Sequence, residues 1–196
     1  MKGKIFNAQE VQAIIAGTKT MFREVIKPYP ILSNNKSYWE FKGVRWAGEN
    51  SFYAKNFGDN ARPVMPDLCP YQVGQEIFVK ESFVEHDNKI LFKASHQKLT
   101  THFLGSIKWR PPQHMKQEHS RLTLEITDIR VERLGEISEE DAFKEGVERT
   151  DEWTGCAWDL NFTDAFKFNW NSTHKKPEEK FEASPFVWVV DFKINK

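Results

Sequence analysis

Four short segments carry the residues best suited to chemistry. In GTKTMFR (17–23) a helix ends at Gly17, and Lys19 and Arg23 follow within six residues. Backbone amides and these two cations at a cleft mouth would suit a phosphate, a carboxylate or the polar edge of a base. Ordinary helix-exit chemistry, with Lys complementing the C-terminal dipole, accounts for the same residues. In KWRPPQHM (108–115) Trp109 can stack, Arg110 can pair, and two prolines stiffen the backbone. Such a loop suits an unpaired base, and it equally suits a buried Trp that anchors a loop. Glu145 closes a short helix just before Gly146. Lys80 and Glu81, adjacent in VKESF, face opposite sides if the segment is a strand, so at most one points into any given cavity.

Much chemistry is excluded by what the chain lacks. It contains no phosphate-binding loop, no GxSxG and no HExxH. Its six histidines are scattered, and the spacing of His114 and His119 fits no metal motif, so neither a metal nor another cofactor is expected. Cys69 and Cys156 are far apart and form no zinc spacing. They read as reduced thiols of a cytoplasmic protein. No apolar run approaches the ~18 residues of a membrane span. The N-terminal MKGKIFNAQEVQ lacks the apolar centre of a signal peptide.

The 28 Lys and Arg balance the 28 Asp and Glu. A protein that coats duplexes generally is basic overall, because phosphate neutralisation supplies most non-specific affinity. The balance is uneven along the chain, however. Residues 1–60 hold 9 basic and 5 acidic residues, whereas residues 121–196 hold 11 and 17. Any contact with nucleic acid is therefore expected at a local basic patch in the N-terminal two-thirds.

The elements that must position these residues can be read from periodicity. Residues 7–17 predict a helix with an Asn7–Glu10 capping box and a Gly17 stop. Residues 29–75 look irregular but aromatic-rich, with short strands such as 38–46. A strand is expected over 76–85, paired across Asp87-Asn88 with 89–95. The strongest strand is 121–133, whose apolar phase changes near Thr127-Asp128, as a bulge would require. Short helices are expected at 138–147, capped by Ser138, and at 163–171, with Phe166 and Trp170 on one face. FVWVVDFKI (186–194) reads as a central or barrel strand. The pattern is α+β, a single domain over 1–196 built on a small β-barrel with a few packed helices.

Taken together, GTKTMFREVIKP (17–28), CPYQVGQEIFVKESF (69–83), KWRPPQHM, SRLTLEITDIRVERLGEISEEDAFKEGV (120–147), the Phe166/Trp170 helix and SPFVWVVDFK (184–193) resemble the ASCH domain family of the PUA-like superfamily. The resemblance is to the proteins of this family common in bacteriophages and prophages. It covers most of the chain except 29–66, an insertion, and 148–160.

The family implies a PUA-like barrel with a cleft beside the first helix, and a proposed RNA-binding role. One small bacterial member removes the acyl group of N(4)-acetylcytidine with a Lys, a Thr and a Glu. The Lys matches Lys19 and the Glu matches Glu145, while the Thr position holds Phe22, which has no hydroxyl. The basic residue expected seven positions after the glycine is Glu24, although Arg23, at six, agrees with the phage-type pattern.

Three functions are expected to compete. The first is a binding module for a nucleobase, nucleoside, nucleotide or single strand. It would use Lys19, Thr20, Arg23, Lys80, Glu81, Trp109 and Arg110. The second is an amidohydrolase acting on an acylated nucleoside through Lys19 and Glu145. The third is a phage factor that engages a host protein through the aromatic insertion.

Overall fold

The computed structural model describes residues 1–32, 34, 39–41, 44–46, 69–87, 89–96, 107–148 and 161–195. Most of the aromatic insertion, including Tyr38, Phe52, Tyr53 and Phe57, and also Cys156, lie outside the described residues.

The chain opens with β1 (Lys2–Ile5) and α1 (Ala8–Ala16). The Asn7 side chain accepts from Glu10 N at 2.9 Å, and the Glu10 carboxylate accepts from Asn7 N at 2.7 Å. The capping box therefore satisfies two donors that the first turn would otherwise leave open. Gly17 ends the helix at φ 78, a conformation that costs glycine little. Next come β2 (Met21–Val25) and a small antiparallel sheet of β3 (Ile31–Leu32), β4 (Trp39–Phe41) and β5 (Val44–Trp46).

The expected strand over 76–85 is two strands. β6 (Glu76–Lys80) belongs to the main sheet, while β7 (Phe83–His86) forms a hairpin with β8 (Lys89–Phe92). The break falls at Glu81, which is buried and held by the Arg121 guanidinium at 2.8 and 2.9 Å. A buried carboxylate needs its cation, and meeting Arg121 takes the chain off the sheet.

β9 (Thr123–Arg133), α2 (Glu139–Lys144), α3 (Phe162–Thr173) and β10 (Phe186–Asn195) complete the chain. Across from β9, Asp191 pairs with Asp128 and Phe192 with Ile126, which leaves Thr127 without a partner. That is the expected bulge.

The main sheet has the order β1-β6-β9-β10-β2, with β1 and β6 parallel and the other neighbours antiparallel. β10 lies between β9 and β2 and is apolar on both faces because both are covered. Trp188, Val190 and Phe192 join Phe6, Ile14, Phe22 and Tyr71 in one core cluster. Val187 and Val189 join Met21, Leu134, Phe166 and Trp170 in the other.

A closed barrel is not what the described strands form. β1 and β2 stand at opposite ends of the strand order, and no backbone pairing joins them. Their side chains nevertheless meet. Lys4 reaches Glu24 at 2.6 Å, and the Phe6 and Phe22 rings contact edge to face at 5.9 Å. The sheet therefore curls until its edges touch through side chains, and stops short of closure. Among the described residues, no helix is long and apolar enough to cross a membrane.

Candidate functional site

Lys19 owes its position to the way α1 ends. The Ala13 carbonyl accepts from both Thr18 N and Lys19 N, at 3.0 and 3.1 Å, which turns the chain back on itself. Lys19 then forms an antiparallel bridge with Glu145, and Thr20 N donates to Lys144 O at 2.9 Å. The chain after α1 is thus zipped to the end of α2. Gly146 makes the approach possible. Its φ is 74, and a Cβ there would lie 2.7 Å from Lys19 Cβ and 2.8 Å from Ala13 Cβ.

The side chains converge in the same place. Lys19 Nζ donates to the Glu145 carbonyl at 2.8 Å and to Glu145 Oε2 at 2.9 Å, with Glu10 at 3.6 Å. Arg23 Nη1 donates to Glu145 Oε1 at 3.0 Å. Its Nη2 donates to Asp141 at 2.9 Å and Glu132 at 3.1 Å. The Lys19 and Arg23 side chains are 2% and 0% exposed, so neither can swing into water. Arg130 extends the cluster, meeting Glu132 and Asp141 at 2.6 Å each and pairing with Asp191. Burial pushes the Asp191 carboxyl above its ordinary range, although Arg130 pulls the other way. Arg23 Nε is buried without a partner among the described residues.

Of this cluster, Glu10, Lys19, Arg23 and Glu145 line a cleft of about 1070 Å³ between α3 and the β1 and β2 edges, and the other members stand behind them. The other cations that line it are paired as well. Lys4 meets Glu24, Lys27 meets Glu179 at 2.7 Å, and Lys167 meets Glu182 at 3.2 Å. Burial alone would raise the Glu24 carboxyl, but Lys4 and the Tyr71 hydroxyl at 2.8 Å outweigh it and hold the group below the ordinary carboxylate value. The Tyr71 phenol is pushed up, first by burial and then by Glu24.

Of the residues singled out in the sequence, Lys19, Arg23 and Glu145 come together in the cleft. Thr20 does not line it. Its N–H bonds to Lys144 and its carbonyl accepts from Phe192 N at 2.8 Å. Phe22 touches the cleft but is 3% exposed, packed among Phe6, Tyr71 and Phe192.

Lys80, Glu81, Trp109 and Arg110 belong elsewhere. Lys80 Nζ donates to Gln113 O at 3.3 Å, and Glu81 is committed to Arg121. Trp109 is half-buried beside the His96 ring at 6.2 Å. Arg110 bonds Phe83 through its backbone and Glu85 through its side chain at 2.8 Å. None of the four lines the cleft.

Asp141, Glu132, Arg130 and Asp191 are the residues sequence reasoning missed. Their signal was charge inside an apolar pattern, Arg130 and Glu132 on β9 and Asp191 in the middle of FVWVVDFK. Charges there must be paired or pay for desolvation. Among the described residues, no set of three or more His, Cys, Asp or Glu is arranged to hold a metal ion. No family model, curated protein or solved structure matches the chain.

Proposed function

We propose that the cleft binds the polar edge of a nucleobase or nucleoside, as in an ASCH-type domain on a PUA-like barrel that is not quite closed. The observation that carries this reading is the buried Lys19–Glu145 pair, donor and acceptor 2.9 Å apart on the cleft wall. Neighbouring N–H and C=O groups on a base edge need such a donor and acceptor side by side. Arg23 holds the second Glu145 oxygen, so the carboxylate keeps its orientation without a ligand. The curled sheet, whose edges meet through Lys4–Glu24 and Phe6–Phe22, also supports the fold assignment.

The test is calorimetric titration of the full chain with cytidine and N(4)-acetylcytidine. The same titrations of a Lys19→Met/Glu145→Gln double variant, which removes both charges together, serve as the comparison. Micromolar to millimolar binding by the parent, lost in a folded variant, is the expected result. No heat at any concentration would overturn the reading.

A second reading, hydrolysis of an acylated nucleoside, draws on the same ammonium–carboxylate pair, since such a pair can polarise a carbonyl and orient water. Against it stands Phe22 in place of a hydroxyl, with Thr20 not among the residues that line the cleft. Chromatography of the same mixtures separates the two. Intact N(4)-acetylcytidine after long incubation means binding alone, and its conversion to cytidine means catalysis.

A further inference from the structure

The cleft's ion pairs also bear on which nucleosides it accepts. Among the described residues, each Lys and Arg lining it is already joined to a carboxylate: Lys4, Lys19, Arg23, Lys27 and Lys167. Glu148 and Asp164 line the same cleft, both exposed, and neither has an ion-pair partner among the described residues. Among the described residues, an incoming phosphate would find no Lys or Arg without a carboxylate partner. It would have to compete with a carboxylate at each of them, and at Lys19 it could only accept and so would displace Glu145, whereas a base edge with a donor and an acceptor can bridge the pair. It would also approach the Glu148 and Asp164 carboxylates, which no described cation offsets. Like charges at contact distance near a protein surface repel enough to weaken binding about fivefold or more.

We infer that the cleft takes nucleosides or free bases and discriminates against their 5′-phosphates and against nucleic-acid strands, with Glu148 and Asp164 as the discriminating groups. This rests on the nucleobase reading and narrows it to ligands without phosphate. It also reverses the salt dependence that strand binding shows. Cation-held strands weaken as salt rises, whereas a ligand repelled by carboxylates binds better once the repulsion is screened.

The test compares cytidine with cytidine 5′-monophosphate on the full chain, by calorimetry, from about 50 mM to about 0.5 M salt. The expected result is about tenfold weaker binding of the monophosphate at low salt, a gap that narrows as salt is added. In a Glu148→Gln/Asp164→Asn variant the low-salt gap should narrow several-fold. Monophosphate binding as tight as cytidine, or weakening with salt, would overturn the inference and leave the nucleobase reading standing. Failure of both ligands at every salt concentration would overturn that reading and the inference with it.

Discussion

The Lys19–Arg23–Glu145 cleft and the lobe around β7 and β8 look alike in sequence, each offering cations beside aromatics. They differ in where their charges are answered. In the cleft, Arg23 draws carboxylates from β9, from α2 and from the residue that follows α2, so Arg23, like Lys19 beside it, is buried and neutralised. In the lobe, residues 80–96 and 107–121, the described residues include seven Lys and Arg against four Asp and Glu, with four His besides. Arg110 there is 55% exposed and meets a Glu85 that is itself 45% exposed. A cation count along the chain therefore says little about local potential. What matters is whether distant segments bring carboxylates to it, and burial makes that pairing obligatory at Lys19 and Arg23 in the cleft and at Glu81 in the lobe.

The largest effect expected from this contrast is at Arg23. Arg23→Met leaves Glu145, Asp141 and Glu132 facing one another with one cation fewer, and should cost about 3–5 kcal/mol in denaturant unfolding. A loss below 1 kcal/mol would mean the cluster is solvated and the contrast false. Gly146→Ala should come next, at about 2–4 kcal/mol, because it combines a strained φ with a Cβ forced into Lys19 and Ala13. It should also weaken nucleoside binding by moving Glu145, so a variant with unchanged affinity would separate the close approach from the site.

Glu81→Gln tests a pair of the lobe that has a buried member, Glu81 with Arg121. Its loss from Arg121 should cost about 1.5–3 kcal/mol, the range for a charge-assisted bond, with no effect on ligand binding in the cleft. Glu24 sharpens the comparison through pH. Its carboxyl is held below the ordinary value in the folded state, so its contribution is complete above that value and is lost as pH falls through the folded one. Glu24→Gln should therefore lower the melting temperature at neutral pH and flatten its fall in acid. A parallel fall in both proteins would assign the acid loss to other carboxylates. The smallest effect belongs to Arg110→Ala, below about 1 kcal/mol for an exposed pair, read from the same unfolding curves. A larger loss would give the lobe a structural ion pair of its own.

Much of the fold was legible in the chain. The Asn7–Glu10 box, the Thr127 bulge and the two apolar faces of 186–194 are local patterns whose physics acts over a few residues. The break at Glu81 was not legible, because its cause, Arg121, lies 40 residues away. Nor was the open seam between β1 and β2. Whether a sheet closes depends on the accumulated curl of all five strands, and no single strand encodes it.

For the site the division is similar. The sequence by itself determined which groups exist, namely a Lys and an Arg just past a helix stop, a Phe rather than a hydroxyl beside that Arg, and a Glu just before a Gly. Tertiary structure alone decided that Lys19 lies 2.9 Å from Glu145 across 126 residues of chain. It likewise decided that Arg23 spends its charge on three carboxylates, and that Trp109 and Arg110 stand in another lobe. The physical reason is range. Capping, periodicity and turn chemistry are settled between near neighbours, whereas the charge of a cleft is the sum of groups that only the folded chain brings within a few ångströms.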